Sequence, residues 1–417
     1  MQGERPMERE AWIIDGVRTP RGKGKAGGAL NHIHPQELLA QCLNGLVART
    51  SIDPLSVDDV VIGNGMNSGD HGACIGRLAL LTAGWPAVVP GFTLNRHCGS
   101  GQQAVTVAAM GVLSGMYDLV VAGGVESMSR WPAPDIAEPP TIDGRNSQLR
   151  DTYPLVPQGV AADLIATVEG FSRESCDRLA VTSQGRCNRA LSEGRFDRSL
   201  IEVRNPDGTV ALGGEEHPRA STTLEALARL APAFADLGRG ANQWFAESFD
   251  EMCMRVYPVD HIDHVHHAGN SSGVVDGACT LLVASSDFAR ANGLVPRARI
   301  RSTAVAGSDP VMMLTAPGPA SKKCLDKARM NVADIDLWEI NEAFSAVVLK
   351  AMRDLDLDPE RVNPNGGAIA LGHPIGATGG MLILTAIDEL ERGDGTTALV
   401  TMCTGGGMGT ATVLERM

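Results

Sequence analysis

Four short stretches of the sequence carry a reactive side chain, three of them beside glycines, and together they supply the parts of one reaction. They are Cys98 in NRHCGSGQQA (95–104), Asn341 in NEAF (341–344), His373 in NPNGGAIALGHPIGATGG (363–380) and Cys403 in MCTGGGMG (402–409). A thiol can attack a carbonyl carbon once a base has taken its proton, and glycine-rich turns offer backbone N–H groups to the oxyanion that forms. These residue types therefore point to covalent acyl transfer.

Cys98 lies where a short apolar segment is followed by a stretch with few helix breakers, so we predict a strand-to-helix turn. Gly99 and Gly101 would permit a tight turn, and the N-terminus of the helix would lower the pKa of the thiol. Adjacent strand residues point to opposite faces, so His97 should face away from Cys98 and the base must come from elsewhere. On this stretch alone, a small buried thiol without chemistry explains Cys98 equally well.

Taken one at a time, the other three residues also have ordinary structural explanations. An Asn at a strand end often caps the next helix, a single His is usually structural, and a Cys in an apolar strand usually belongs to the core. Their common position favours chemistry, because Asn341 and Cys403 lie at the ends of predicted strands and His373 and Cys403 lie beside glycines. Ligand sites of open α/β folds lie at the carboxyl ends of strands, so we expect the four residues to converge.

Composition limits the classes of partner. The 417 residues include 48 glycines, 43% hydrophobic and 20% charged residues, and the formal charge is −13. This length exceeds one small core and predicts two or three domains. The negative charge argues against nucleic acid or an anionic membrane as a partner, so an anionic ligand would need local arginines or helix N-termini.

Nine cysteines are scattered along the chain without a CxxC pair, which fits a reducing cytoplasm better than a disulfide framework. The first residues, MQGERPMERE, show no apolar signal segment. No apolar run approaches the ~20 residues of a membrane span. We therefore expect a cytoplasmic enzyme or binding protein.

Apolar runs of strand length alternate with helical patterns, which predicts an α/β fold. Strands are expected at 11–15, 58–64, 118–124, 279–285, 336–341 and 397–407, and helices at 35–50 and 379–393. The same order of elements occurs twice along the chain: a strand, a turn that contains Asn95 or Asn363, a helix and a second strand. This repeat predicts a tandem duplication. Residues 128–274, with the Pro-rich stretch 131–140, are instead interpreted as an irregular excursion that shapes a substrate site.

In this order, NEAF, GGAIALGHPIGATGG and CTGGGMG resemble the motifs of the thiolases, which cleave 3-ketoacyl-CoA with CoA or condense two acyl-CoA molecules. The resemblance covers almost the whole chain and implies a duplicated αβαβα five-layer core with an inserted loop domain. It implies CoA as co-substrate, a homodimer or homotetramer, and neither a metal nor a permanently bound cofactor. The domains expected are an N-terminal domain of 9–127 and 275–295, a CoA-binding loop domain of 128–274 and a C-terminal domain of 296–417.

The resemblance also implies a role for each site residue. Cys98 would be the acylated nucleophile, His373 its base, and Cys403 the group that moves a proton to or from the reacting carbon. Asn341, through a water, and His373 would form one oxyanion hole. The backbone N–H groups of Cys98 and Gly405 would form the other. The CoA contacts implied are Arg219 near the adenine, Ala268 and Ser272 near the pantetheine, and Ala343 and Phe344 at the acyl end.

Two departures from the family pattern weaken the case for a strict acetoacetyl-CoA preference. Pro157 and Gln158 stand where the family often has a His-Met-Gly step that shapes the acyl pocket. Residues 235–267 form an extra segment before the CoA-contacting loop, and we call them the insert. The insert carries histidines at 261, 264, 266 and 267. A metal site is one interpretation, but no recognisable zinc spacing accompanies them, so we predict structural roles, with His267 the nearest to CoA.

The leading hypothesis is a degradative thiolase acting on medium, long or bulky 3-ketoacyl-CoA, as in β-oxidation. The nearest alternative is a biosynthetic acetoacetyl-CoA thiolase. A protein of another class, which binds acyl-CoA without catalysis, would be expected to lack Cys98, His373 or Cys403, and all three are present. A decarboxylating ketoacyl synthase is disfavoured because it pairs its cysteine with two histidines.

Overall fold

Strands from both ends of the chain join in one continuous path of hydrogen-bonded neighbours. The computed structural model describes residues 9–132, 140–144 and 146–417, so most of the Pro-rich stretch 131–140 lies outside the described residues. The strands are β1 (Ala11–Arg18), β2 (Gly22–Lys23), β3 (Asp59–Gly63), β4 (Phe92–Leu94), β5 (Leu119–Ser127), β6 (Val203–Arg204), β7 (Val210–Leu212), β8 (Val275–Ser285), β9 (Ala298–Gly307), β10 (Leu337–Ile340), β11 (Thr397–Thr404) and β12 (Met408–Arg416).

Helices alternate with these strands, as the sequence pattern predicts. They are α1 (Pro35–Thr50), α2 (Ile75–Thr82), α3 (Ser100–Ser114), α4 (Ser147–Thr152), α5 (Gln158–Glu169), α6 (Arg173–Ser192), α7 (Leu224–Ala228), α8 (Ala235–Arg239), α9 (Phe249–Val256), α10 (Ser286–Ala291), α11 (Pro317–Ala328), α12 (Ser345–Leu355), α13 (Ala368–Leu371) and α14 (Thr378–Arg392). Local signals set the boundaries: α1 begins with a capping box between His34 and Glu37, followed by Pro35 in the first turn. Among the described residues, none of these helices has the length and apolarity needed to cross a membrane.

The strand order is β10-β11-β12-β9-β1-β8-β5-β3-β4, with β2 beside β8. In one half, β3 runs parallel to β4 and β5, and β8 runs antiparallel to β5 and β1. In the other half, β10 runs parallel to β11, and β12 runs antiparallel to β11 and β9. The halves meet at β1 and β9. Val362 forms a parallel bridge to Trp338 of β10, as β4 does to β3, so the predicted duplication is confirmed.

Five layers result from the packing of helices on the two halves. One core joins α1 and α2 to one face of the first half, with Leu43 among its buried residues. The central core contains Val105 of α3 and Ile383 of α14, together with strand residues of both halves. A third core joins Leu325 of α11 and Val348 of α12 to the second half. Burial of these apolar faces is the main stabilising contribution, and it gives the αβαβα order predicted for the family.

The insert packs against α5 and against the second half of the strand order, rather than projecting into solvent. Phe249 and Met252 of α9 share a core with Val160 of α5, Val347 of α12 and the buried Cys403.

The domain boundaries stay predictions, as does the cytoplasmic location.

Candidate active site

Cys98 lies in a turn between β4 and α3, as predicted, although the backbone achieves the turn differently. The residue in the left-handed region is His97, with φ 48°, whereas Gly99 has φ −83°. The side chain of Asn95 supports this strained position, because its Oδ1 accepts a hydrogen bond from the N–H of His97 at 2.7 Å. The left-handed residue of this turn is therefore His97 and not a glycine.

The two glycines around Cys98 are needed for close packing. A Cβ at Gly99 would lie 2.7 Å from Cγ2 of Thr404, and a Cβ at Gly101 would lie 2.6 Å from the carbonyl oxygen of Gly376. Both distances are too short for a carbon contact. The start of α3 therefore touches the end of β11 and the loop that leads into α14, so the segments carrying Cys98, Cys403 and His373 are neighbours.

Cys98 is buried, with 3% of its surface exposed. Burial raises the pKa of its thiol to about 11, and the carboxylate of Glu126 adds to the increase. The backbone N–H groups of Gly405 and of Cys98 itself act in the opposite direction by hydrogen bonding to the sulfur. The predicted lowering of this pKa by the helix N-terminus is thus wrong, because burial outweighs it. A base must remove the proton as the sulfur attacks.

Cys403 lies in β11 and is fully buried. Burial raises the pKa of its thiol, and negative charge on Cys98 raises that pKa further. Gly99, the residue after Cys98, packs against Thr404, the residue after Cys403, so the two cysteines lie on neighbouring segments. Cys403 therefore remains a neutral thiol that can donate a proton.

His373 lies in the loop between α13 and α14, and two contacts decide which ring nitrogen is protonated. Nδ1 lies 2.6 Å from Oγ1 of Thr378, and that hydroxyl donates its own proton to the carbonyl of Pro374 at 3.0 Å. The hydroxyl must accept from Nδ1–H, which leaves Nε2 unprotonated. Asn341 Nδ2 lies 3.4 Å from Nε2, and Asn341 Oδ1 has no partner among the described residues.

The imidazole of His373 is neutral in this environment. Burial lowers its pKa to about 3, and the positive charge of Arg21 contributes to the decrease. Thr378, which fixes the tautomer, was not identified from the sequence. Its position in the first turn of α14, five residues after His373, is the signal that could have identified it.

The predicted CoA-contacting residues divide into two groups. Ser272 lies close to Ala343 and Phe344, because its N–H donates to the carbonyl of Ala343 at 2.9 Å and the adjacent Ser271 bridges to Phe344. The next residue, Gly273, accepts a hydrogen bond from the backbone N–H of His373 at 2.9 Å. This group therefore adjoins the predicted base.

The other two predicted contacts, Ala268 and Arg219, are exposed. Arg219 lines a surface cavity with His217, whose ring packs against Gly273. The structure thus connects Arg219 to the Ser272 segment through His217 rather than by direct contact.

The predicted acyl end is bordered by α5 and the insert. A Cβ at Gly405 would lie 3.4 Å from Nε2 of Gln158, so this side chain lies beside the glycine-rich turn. The ring of Phe344 meets His266 edge-on at 5.5 Å and Phe234 at 6.0 Å between centroids. Gln158 and the insert are therefore placed to shape this end of the site.

His264 is held between two carboxylates that attach the insert to α5. Its Nδ1 lies 2.7 Å from Oδ2 of Asp163, and its Nε2 lies 3.0 Å from Oδ2 of Asp250. Burial by itself lowers the pKa of His264, but the hydrogen bonds to Asp163 and Asp250 outweigh it and raise the pKa to about 9. Asp163 also accepts from the N–H of His266 at 3.0 Å. We call the group Asp163–His264–Asp250 the carboxylate clasp.

His267, predicted to be the insert histidine nearest to CoA, is bonded to groups of the protein on both ring nitrogens. Its Nε2 bonds to Asp177 at 2.8 Å, and its Nδ1 accepts from the N–H of Gly269 at 3.0 Å, so the buried ring is fully engaged. His261 is exposed and pairs with Asp263. Within the described part of the chain, no group of three or more His, Cys, Asp or Glu side chains is arranged to hold a metal ion.

Comparison with known proteins gives the family. The model for the thiolase N-terminal domain matches residues 11–241, and the model for the thiolase C-terminal domain matches residues 294–416. The chain is 40% identical to a steroid 3-ketoacyl-CoA thiolase, FadA6, of Mycobacterium tuberculosis, over 98% of this chain and 94% of that protein. It is 39% identical to a beta-ketoadipyl-CoA thiolase of Pseudomonas aeruginosa, over 99% and 100%.

Solved structures agree. The acetyl-CoA acetyltransferase of Bacillus anthracis has a TM-score of 0.83 and 34% identity, covering 98% of this chain and 99% of that one. The human mitochondrial 3-ketoacyl-CoA thiolase has a TM-score of 0.83 and 31% identity, covering 99% and 100%. With both halves matched and the relatives covered almost end to end, the chain belongs to the thiolase family of acyltransferases.

Proposed function

We propose that this thiolase cleaves 3-ketoacyl-CoA through an acyl-enzyme on Cys98. The observation that carries the proposal is the position of Cys98: the backbone N–H groups of Cys98 and Gly405 bond to its sulfur, and the adjacent Gly99 packs against Thr404, next to a second buried thiol, Cys403. A nucleophile surrounded by backbone donors and a proton donor is what carbon–carbon cleavage at a thioester requires. Relatives named 3-ketoacyl-CoA thiolases support the thiolytic direction.

The first half-reaction forms the acyl-enzyme. Nε2 of His373 takes the proton of the Cys98 thiol as the sulfur attacks the C3 ketone of the substrate. The N–H groups of Cys98 and Gly405 stabilise the resulting oxyanion, each by roughly 3–4 kcal/mol. The C2–C3 bond then breaks, its electron pair passes to the acetyl-CoA enolate, and Cys403 protonates C2.

The second half-reaction restores the enzyme. The thiol of free CoA attacks the acyl group on Cys98, and the shortened acyl-CoA leaves as Cys98 is released. Asn341 and His373 lie together and offer one oxyanion hole to the thioester oxygen of the acetyl-CoA enolate, the free amide oxygen of Asn341 being able to accept from a water. A covalent intermediate predicts ping-pong kinetics.

CoA is assigned to the surface formed by the loop after the insert. Ser272 and Ala268 are proposed to contact the pantetheine, Ala343 and Phe344 to border the acyl end, and Arg219 to approach the adenine. Support comes from the hydrogen bonds that tie Ser272 to Ala343 and Gly273 to His373. CoA acts here as a co-substrate, and no permanently bound cofactor is invoked.

The substrate class proposed is a medium, long or bulky 3-ketoacyl-CoA rather than acetoacetyl-CoA. Gln158 borders the glycine-rich turn, and the insert packs on Phe344, so the acyl end is built from residues that depart from the family pattern. Two relatives are named for steroid and beta-ketoadipyl thioesters. The alternative is acetoacetyl-CoA, favoured by relatives named acetyl-CoA acetyltransferase.

A homodimer or homotetramer is proposed as the assembly. β4 is the last strand in the order and keeps one edge free to pair. Met110, Leu113 and Met116, in and just after α3, are large apolar side chains more than half exposed. An apolar surface of this kind commonly meets a partner, here a second copy of the chain.

The acyl-enzyme is tested by intact-protein and peptide mass spectrometry after incubation with acyl-CoA thioesters of different length and bulk. We expect one acyl adduct, located on Cys98, and none on Cys74, the exposed free cysteine that reports non-specific acylation. Cys98→Ala should lose the adduct and all turnover while retaining CoA binding. An adduct on another residue, or turnover by Cys98→Ala, would contradict the nucleophile assignment.

The same panel tests the substrate class. Cleavage rates are compared for acetoacetyl-CoA, 3-oxoadipyl-CoA and a long straight-chain 3-ketoacyl-CoA. A preference for the four-carbon substrate would overturn the proposed class in favour of the biosynthetic alternative. Binding without any acylation or turnover would indicate the non-catalytic class.

A further inference from the structure

A surface cavity of about 330 Å³ lies beside the loop assigned to pantetheine, and positively charged side chains surround it. Its lining includes Lys23, Lys25, Arg219 and His217. The cavity is fixed to the central sheet, because Lys23 pairs with Val275 in the ladder of β2 and β8. It is therefore built on a rigid part of the fold.

The three cations of this cavity are not neutralised. Among the described residues, the side chains of Lys23, Lys25 and Arg219 take part in no ion pair, although the chain as a whole carries a formal charge of −13. Three like charges around one cavity repel each other unless an anion joins them.

Neither of the two nearby carboxylates forms an ion pair with Lys23, Lys25 or Arg219. Glu215 pairs with Arg18 and Arg21, at 2.6 and 3.0 Å. Glu216 accepts hydrogen bonds from the backbone N–H groups of Lys23 and Ala29, at 2.7 and 3.1 Å. The cationic side chains therefore retain their charge for an external ligand.

The positive charges around the cavity also act on His217, which forms part of the cavity wall. Burial lowers the pKa of His217, and the charges of Arg219 and Lys23 lower it further. Its Nδ1 lies 2.8 Å from the carbonyl oxygen of Ala370, which fixes the ring. His217 is thus a neutral imidazole next to the positive charges of Arg219 and Lys23, and this environment favours the binding of an anion.

The location identifies the anion. A Cβ at Gly273 would lie 2.0 Å from Nε2 of His217, so the cavity wall supports the residue that follows Ser272. Gly24, between the two lysines, donates its N–H to Val274 at 2.9 Å. A ligand that enters along Ser272 therefore passes next to the lysines, and the anionic groups of CoA are its phosphates.

We propose that this cavity is a phosphate subsite, in which Lys23 and Lys25, together with Arg219, bind a phosphate group of the CoA nucleotide. The inference rests on the proposed function and adds to it the part of the molecule that holds the nucleotide. Lysine binds phosphate as a compact positive charge. The two lysines therefore contribute electrostatic attraction and do not require a fixed hydrogen-bond geometry.

The test measures binding by calorimetry, so that it does not depend on turnover. CoA, 3′-dephospho-CoA and pantetheine are titrated into the wild-type protein, into Lys23→Gln/Lys25→Gln, and into the control Lys322→Gln/Lys323→Gln on α11. The control removes the same charge from another exposed surface. We expect the cavity variant to bind CoA about tenfold more weakly, with pantetheine binding unchanged.

The dephospho ligand distinguishes two sources of phosphate. If the 3′-phosphate occupies the cavity, 3′-dephospho-CoA binds the wild type as weakly as CoA binds the variant. If the diphosphate occupies it, the variant loses affinity for both nucleotides equally. CoA affinity within twofold of wild type in the cavity variant would overturn the inference, as would an equal loss for pantetheine or for the control. Failure of the proposed function is separate, since it appears as an absence of Cys98 acylation while CoA still binds.

Discussion

Two buried histidines of this thiolase, His373 in the candidate active site and His264 in the insert, expose similarly small fractions of their surface and yet differ in charge, the first being neutral and the second positive. They expose 5% and 7% of their surface. Burial lowers the pKa of His373 to about 3, whereas the hydrogen bonds to Asp163 and Asp250 overcome burial and raise the pKa of His264 to about 9. Their partners, rather than their depth, decide the charge.

The difference teaches how one imidazole becomes a base and the other a structural cation. His373 has a neutral hydroxyl on Nδ1 and an amide on Nε2, so nothing in direct contact stabilises its protonated form. His264 has a carboxylate on each nitrogen, so its proton is shared with α5 and α9. Substitution of His373 should therefore mainly reduce kcat, whereas substitution of a residue of the carboxylate clasp should mainly reduce the free energy of unfolding.

The largest expected effect is on the catalytic side. His373→Asn removes the nitrogen proposed to take the Cys98 proton, and we expect kcat to fall by roughly 10³-fold, within the range for general bases. The free energy of unfolding should change by only about 1 kcal/mol, because a neutral hydrogen bond is lost. Steady-state kinetics and urea denaturation measure the two quantities on the same preparation.

His261→Asn serves as the matched control, because it removes an exposed imidazole of the insert and should leave kcat unchanged. If His373→Asn retained more than a tenth of wild-type kcat, the assignment of His373 as the base would be contradicted.

The next effect is on the insert side. Asp163→Asn removes one of the two carboxylates of His264 and leaves a buried cation partly unpaired, so we expect the free energy of unfolding to fall by ~3–5 kcal/mol. Amide hydrogen exchange should rise over residues 235–267, where the insert loses its attachment to α5. Urea denaturation and exchange mass spectrometry provide the two measurements.

Asp263→Asn, which removes an exposed carboxylate two residues from His261, should change stability by less than about 0.5 kcal/mol. Equal stability of Asp163→Asn and the wild type would show that the carboxylate clasp does not hold the insert.

The smallest effect is the pH dependence of stability. The pKa of His264 is raised from 6.5 to about 9 on folding, so its contribution is complete below pH 6.5 and is lost as the pH rises through about 9. The pKa of His373 is lowered from 6.5 to about 3, so the unfolded chain binds a proton first and stability falls as the pH drops below 6.5. Denaturation midpoints between pH 4 and 10 follow both changes.

His264→Asn should flatten the alkaline limb of that profile and leave the acid limb in place. An unchanged alkaline limb in this variant would assign the loss of stability to other groups.

The sequence predicts the core well where apolar runs are continuous. The strands expected at 118–124 and 397–407 correspond to β5 and β11, and the helix expected at 35–50 is α1. β9, with the sequence ARIRSTAVAG, was not predicted, because its half-buried face alternates small, polar and charged residues. A strand of this kind becomes apparent only from its pairing with β12 and β1.

Sequence patterns also find the catalytic residue types, but not what controls them. The Cys98 turn was predicted, whereas its raised pKa depends on burial by segments hundreds of residues away. The histidines of the insert were predicted to be structural, and three of them, His264, His266 and His267, bond to buried aspartates. Their partners could not be identified, because Asp163 lies about a hundred residues earlier in the chain. Contacts over such separations follow from the fold and not from local spacing.

The hydrogen bond between the carbonyl of Gly273 and the backbone N–H of His373 has a mechanical consequence. With pantetheine at Ser272, as proposed, a displacement of the polypeptide there would be transmitted to His373 through this hydrogen bond. The proposal therefore couples CoA binding to the alignment of the imidazole, and it predicts that the imidazole resonances of His373 shift on CoA binding even when Cys98 has been replaced by alanine.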